Sequence, residues 1–135
     1  MKNETANNKI ISNNSQNNTT DTELYLIVAE TLSEIGFRFT RRGYLYLRDA
    51  VTLVVENSNL IISPAKNLYP LIAKEYSTTT SIVSARIRRI IKRVWEEGDA
   101  DILKSYFNNI NKKPTTTQFI KMISDKIRLK LEKQY

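Results

Sequence analysis

Leu71-Ile-Ala-Lys-Glu-Tyr-Ser-Thr-Thr-Thr-Ser-Ile-Val-Ser-Ala-Arg-Ile-Arg-Arg-Ile90 is the stretch on which the reading of this chain turns. Ala73 is small enough for two helices to cross closely. Tyr76 closes a first short helix, and Ser77 to Thr79 form a brief turn. A hydroxyl cap then opens a second helix, on which Val83 and Ile87 are the expected buried anchors. This is the layout of a helix-turn-helix, whose second helix can lie in the major groove of DNA with its N-terminal half toward the bases.

Helical geometry divides the second helix into faces. Val83, Ile87, Ile90 and Val94 are expected to point inward. Ser81, Ala85, Arg88 and Lys92 fall opposite them, with Ser84 and Arg89 at the sides. Arg86, Arg88, Arg89, Lys92 and Arg93 supply the positive charge, and no acid occurs between Glu75 and Glu96. Guanidinium groups bind phosphates and pair in bidentate fashion with guanine. A basic run on its own would fit a solvated helix face. Combined with the helix-turn-helix layout and the missing acids, it favours DNA. The candidate contact residues are Thr79, Thr80, Ser81, Ser84, Ala85, Arg86, Arg88, Arg89 and Lys92, with Arg88 first choice for a base edge.

Composition points the same way. The 135 residues carry a formal net charge of +7, and the charges at Lys2, Glu4, Lys9 and Asp21 cancel, so the excess lies in the remainder. With no cysteine and no histidine, the chain lacks thiolate and imidazole nucleophiles, bases and metal ligands. Its 3 glycines leave no phosphate-cradling glycine loop. The densest acidic group, Glu96, Glu97, Asp99 and Asp101 around Gly98, reads as helix caps and solvating charge rather than an acid/base or metal site. No enzyme, cofactor or metal is expected. No apolar run is long enough to span a bilayer and no signal peptide is visible, so a cytoplasmic, nucleoid-associated protein is expected.

Working outward, residues 1–21 form an Asn-rich tail too polar to offset its ordering entropy, and 22–135 form one all-α domain. A first helix is expected from about Asp21, with Thr20 and Glu23 at capping-box spacing, a stripe of Leu24, Ile27, Val28, Leu32 and Ile35, and Gly36 as its stop. Tyr44 to Asn57 reads as a helix through Leu47, Val51 and Val54, although Val51 to Val55 is rich enough in β-formers to pass for a strand. Pro64 and Pro70 sit where first helical turns tolerate proline, implying a turn at 64–68 and a helix at 70–76. The long helix should run from Thr80 to Glu97, followed by one from Asp99 to near Phe107. The last helix should follow Pro114, with Thr115 and Gln118 at capping-box spacing and Phe119, Ile123, Ile127 and Leu131 inward.

Beyond these patterns, the chain resembles the C-terminal effector domain of stage-zero sporulation protein A, the master sporulation transcription factor of spore-forming Firmicutes. The likeness runs from about Glu23 to Leu131. It is carried by Gly43-Tyr-Leu-Tyr-Leu-Arg-Asp-Ala50, Leu68-Tyr-Pro70, Ile72-Ala-Lys74, the Thr-rich turn, Trp95 with Gly98, Lys113-Pro-Thr115 with Phe119-Ile120, and Asp125-Lys-Ile-Arg-Leu129. The resemblance implies a six-helix bundle that binds short, often tandem DNA boxes, on which a homodimer could form. It also implies a contact with RNA polymerase sigma factor through the helix matching Asp99 to Phe107.

Members of that family are switched by an N-terminal receiver, phosphorylated on an aspartate beside a divalent cation. Only the Asn-rich tail precedes the effector region here, so that switch does not carry over. Where the family places arginine, glutamate and arginine for base reading, this chain has Ile82, Ser84 and Ala85, while basic residues persist at Arg88 and Arg89. The connection before Pro114 is also shorter. The leading expectation is a sequence-specific regulator that inserts Thr80 to Lys92 into the major groove. The alternative is a protein-interaction antagonist or partner of a full-length sporulation regulator. A membrane-surface role fits less well, since the basic helix lacks interfacial aromatic anchors.

Overall fold

Six α-helices form the framework of the computed structural model, which describes residues 18–38, 41–108 and 112–133. They are α1 (Asn18–Ile35), α2 (Arg42–Glu56), α3 (Tyr69–Glu75), α4 (Thr80–Glu97), α5 (Ala100–Tyr106) and α6 (Thr116–Lys133). A 3₁₀ turn at Ser58–Ile61 and a single π turn at Pro64–Leu68 connect α2 to α3. No strand occurs among the described residues. The fold is an all-α bundle containing a helix-turn-helix.

Helix α2 is the centre of the bundle. It packs chiefly on α6 and α4, and also on α1 and α3. Its buried residues, including Tyr44, Tyr46, Leu47, Ala50, Val51 and Val54, surround the helix instead of forming one stripe. This explains the β-rich look of Val51 to Val55: neighbours on most sides reward bulky branched residues, and tertiary packing overrides intrinsic propensity. Thr52 stays satisfied by donating its hydroxyl to the Arg48 carbonyl. On α6, Arg128 reaches the C-terminal end of α2, donating to the Val54 and Val55 carbonyls while pairing with Asp125. A cation thereby satisfies carbonyls that have no partner within their own helix. The spacing of Asp125 and Arg128 in the sequence follows from this cap.

The helix ends follow their local chemistry. Gly36 has φ +119°, and its neighbour Phe37 donates its N–H to the Leu32 carbonyl at 2.9 Å. Only glycine adopts such a backbone without strain. At α6, Thr115 and Gln118 exchange reciprocal hydrogen bonds of 2.9 and 3.1 Å, the expected capping box. The Asp99 carboxylate caps α5 by accepting from the N–H groups of Asp101 and Ile102. Gly98 is needed for a different reason, since a Cβ there would stand 2.5 Å from the Val94 carbonyl oxygen. A ladder of rings, Phe37 on Phe119, Phe119 on Phe107 and Phe107 on Trp95, then ties α4, α5 and α6 together.

Two details differ from expectation. Helix α1 begins at Asn18, so Thr20 lies within the helix and is not its N-cap. Asp21 in the first turn complements the helix N-terminus, and burial of Leu24, Ile27 and Val28 outweighs the weak propensity of Asn18 and the threonines. On α4, the fourth buried anchor is Ile91, with Val83, Ile87 and Val94, whereas Ile90 is only half-buried at the edge of the contact with α2. Residues 1–17 of the expected tail, and part of the connection from 108 to 113, lie outside the described residues.

The most demanding interaction in the core is polar. Arg48 and Asp49 are both buried and pair at 3.0 Å. The second Asp49 oxygen accepts a 2.6 Å hydrogen bond from the Tyr76 hydroxyl, and Arg48 also donates to Tyr25 and Tyr76. Burial pushes the Asp49 carboxyl upward, opposed by the Arg48 charge and the Tyr76 hydrogen bond. Tyr76→Phe should cost about 1–3 kcal/mol by urea denaturation, because it leaves a buried carboxylate oxygen without its donor. The tyrosine hydroxyls give a second expectation. Burial raises those of Tyr44, Tyr69 and Tyr76, and raises Tyr106 to about 12 together with its hydrogen bond to Glu34. The folded state therefore holds these protons after the unfolded chain would release them. Their contribution is fully present below about pH 10 and is lost as the pH climbs through the folded values. Thermal melts from pH 8 to 12 should stay level and then fall, and the fall should be shallower in Tyr76→Phe.

Candidate nucleic-acid interface

The interface is built from α3, the turn after it and α4. Helix α3 buries Tyr69, Ile72 and Ala73. It packs directly against α4, whose inward face carries Val83, Ile87, Ile91 and Val94. Each such side chain contributes roughly 1.5–3 kcal/mol on burial, enough to fix the second helix on the first. The turn is a Schellman motif: Thr78 donates its N–H to the Ala73 carbonyl at 2.9 Å, and Ser77 donates to Lys74 at 3.4 Å. Ser77 occupies the left-handed position, with φ 53°. Thr79 then caps α4, its hydroxyl accepting from the Ile82 N–H at 3.2 Å. The hydroxyl-rich turn thus consists of one strained bend and one cap.

All nine residues expected at the interface lie on accessible parts of this unit. Thr79, Ser81, Arg86, Arg88, Arg89 and Lys92 are exposed, and Thr80, Ser84 and Ala85 are half-buried. Thr79 has a structural duty as the cap, apart from any contact it makes. Arg88 stands near enough to the first turn of α3 for its charge to act on Tyr69, whose hydroxyl is raised by burial and pulled back by that arginine. The ion pairs found among the described residues use Arg48, Lys121, Arg128 and Lys130, so none neutralises the cations of α4. A row of charges that takes part in no ion pair found among the described residues, on a helix held firmly from behind, is available to an external anion.

The sequence pattern singles out the cations of α4 and passes over a second group. Arg41 and Arg42, at the start of α2, line an open cleft with Arg86, Arg89 and Arg93 of α4. The signal in the sequence was Arg41-Arg42-Gly43, where the glycine permits a close approach. A Cβ at position 43 would stand 2.6 Å from Ile90 Cγ2 and 3.0 Å from the Arg86 carbonyl oxygen. Among the described residues there is no group of three or more acids suited to a metal ion, and no helix is long and apolar enough to cross a membrane.

A family model described as sporulation initiation factor Spo0A C terminal matches residues 28–127. The match runs from the middle of α1 into the last turns of α6, and so takes in the whole helix-turn-helix.

The strained bend offers a direct check on this geometry. Ser77→Gly removes the steric cost of a left-handed residue without removing any hydrogen bond of the turn. It should stabilise the domain by roughly 0.5–1 kcal/mol in urea denaturation, and Ser77→Val should destabilise it by more than that.

Proposed function

The chain belongs to the sporulation initiation factor Spo0A C-terminal family, a family of DNA-binding domains in sporulation transcription, and from that premise we propose a sequence-specific regulator. Thr80 to Lys92 of α4 lie in the major groove in this reading. The observation that carries this reading is the exposed cationic face of α4, outside every ion pair found among the described residues and fixed on α3 by the Schellman turn and the Thr79 cap. Arg88 takes a base edge, while Lys92, one turn further from the helix N-terminus, takes a phosphate. Ser81, Ser84 and Ala85 line the approach to the bases, and Arg86 and Arg89 flank it. The protein works by binding, in the cytoplasm on the nucleoid, with no phosphoryl switch assigned to these 135 residues.

Ile82 gives a second reading its support. It is 43% exposed in the first turn of α4, where the family resemblance implies a base-reading arginine. Together with the small side chains at Ser84 and Ala85, an apolar residue there suits a protein surface better than a base edge. In that case the chain acts as a partner or antagonist of a full-length sporulation regulator.

Binding measured on a site selected from a random DNA pool and on its scrambled version separates the two. Arg88→Ala should cost ~1–3 kcal/mol on the selected site and relax preference at one position. Lys92→Ala should weaken both DNAs by similar factors. Ala85→Arg should move preference toward the family's box. If none of the three alters the ratio of specific to random affinity, α4 does not read sequence and the partner reading replaces this one.

A further inference from the structure

The arginines of the α2–α4 cleft stand where stability alone would not put them. Arg41 occupies the N-cap of α2 and makes no capping hydrogen bond, and Arg42 follows in the first turn. Helix starts favour Asp, Asn, Ser or Thr, and positive charge there opposes the helix dipole. On the facing wall Arg86, Arg89 and Arg93 recur at spacings of three and four, where like charges repel. The cleft runs on past Arg41 and Arg93 into a groove that adds Arg38, with Glu97 the one acid along its lining. None of these six guanidinium groups takes part in the ion pairs found among the described residues.

An anion would relieve this repulsion, and the shape of the cleft says which kind. The α4 arginines span seven residues, a row about 10 Å long at the usual helical rise. A single phosphate group fills only part of such a row. One strand of duplex DNA, with a charge about every 3.4 Å along the axis, matches its whole length. The row also lies on the flank of α4, beside the outward face of Ser81, Ala85, Arg88 and Lys92. With that face in the major groove, the flank meets the sugar–phosphate ridge bordering the groove. Gly43 sets the width of the cleft, since the close approach of α2 to α4 brings Arg41 and Arg42 opposite that row.

We propose that the Arg41/Arg42 wall and the Arg86/Arg89/Arg93 wall form a phosphodiester clamp that grips one DNA strand alongside the recognition helix. The clamp rests on the DNA-binding reading and adds to it a sequence-independent site centred on the start of α2. Guanidinium groups suit the task, because each offers a fork of donors to a phosphate.

The test uses the full chain and the variants Arg41→Gln/Arg42→Gln and Arg93→Gln, which alter opposite walls at exposed positions. The observable is the slope of log affinity against log potassium chloride, on the selected and the scrambled DNA. Each lost phosphate contact should reduce the slope by ~0.9. The double variant should therefore lose between about one and two units on both DNAs, and Arg93→Gln about one, with specificity unchanged. The melting temperature of the double variant should not fall. An unchanged slope in both variants, with the parent still steeply salt-sensitive, would overturn the clamp and leave the DNA-binding reading standing. Absence of salt-sensitive DNA binding by the parent would overturn both. Added pyrophosphate provides the remaining arm. If it stabilises the parent but not the double variant, while the DNA slopes stay equal, the cleft takes a free polyphosphate and the proposed clamp is wrong.

Discussion

Asp49 sits buried on a helix that is surrounded by others, and the rest of the structure is arranged to keep its charge tolerable. A carboxylate taken out of water needs a compensating charge and a donor for each oxygen. Arg48 supplies the charge from the adjacent position, and Tyr76 supplies the remaining donor at 2.6 Å. Tyr76 is also the residue at which α3 ends, immediately before the turn into the recognition helix. The same ring stacks edge-on against Tyr46 of α2, with centroids 5.2 Å apart. One side chain therefore fixes both the centre of the bundle and the origin of the helix-turn-helix. Its hydroxyl serves the core, and its backbone ends the helix from which the turn leads into α4.

The two ends of α2 show how differently charge is used across the molecule. At its C-terminus Arg128 meets backbone carbonyls and is itself paired with Asp125, an arrangement that favours stability. At its N-terminus Arg41 and Arg42 face three more arginines of α4. Among the described residues, positive charge is matched by acids or carbonyls where it holds the fold together, and the ion pairs found there leave out the arginines of the α2–α4 edge. Charge alone would not have distinguished these uses, since arginine serves both. Partners distinguish them: an acid and two carbonyls at one end, an open cleft at the other. The half-buried Ile90 belongs to this geometry too, because it packs where Gly43 lets the two helices touch.

Much of this was legible in the sequence where chemistry is local. Gly36, the Thr115–Gln118 box, the Asp99 cap and the limits of α4 all depend on residues within a few positions of each other, and each appears as expected. The stripe on α1 was readable because that helix buries a single side. Helix α2 was harder, as a run of valines surrounded by neighbours has no clear period. Ile91 is buried where Ile90 is expected, because adjacent positions differ by only ~100° around a helix and a contact from another element decides which is covered. The start of α1 was missed for a related reason, since the packing of Leu24 and Val28 carries the helix back to Asn18. Gly43 beside Arg41 and Arg42 signals a close approach, but nothing in the sequence names α4 as the helix that is approached. That juxtaposition exists only after α2 and α4 cross. The residues of α4 that would touch DNA were found by periodicity, whereas the other wall of the cleft required the fold.

The chain carries a rival basic surface, since α6 includes Lys121, Lys126, Arg128, Lys130 and Lys133. Several of those charges are occupied, by Asp125, Glu34 and the Tyr106 ring. The central claim is that the charges of α4 and the start of α2, which enter no ion pair found among the described residues, are the ones that meet DNA. Backbone amide chemical-shift changes, followed while a short duplex carrying the selected site is added to ¹⁵N-labelled protein, test it directly. The account predicts that the largest changes cluster from Thr79 to Lys92 and around Arg41 to Gly43, with α6 nearly silent. Changes centred on Lys121 to Lys133, with α4 unmoved, would contradict it.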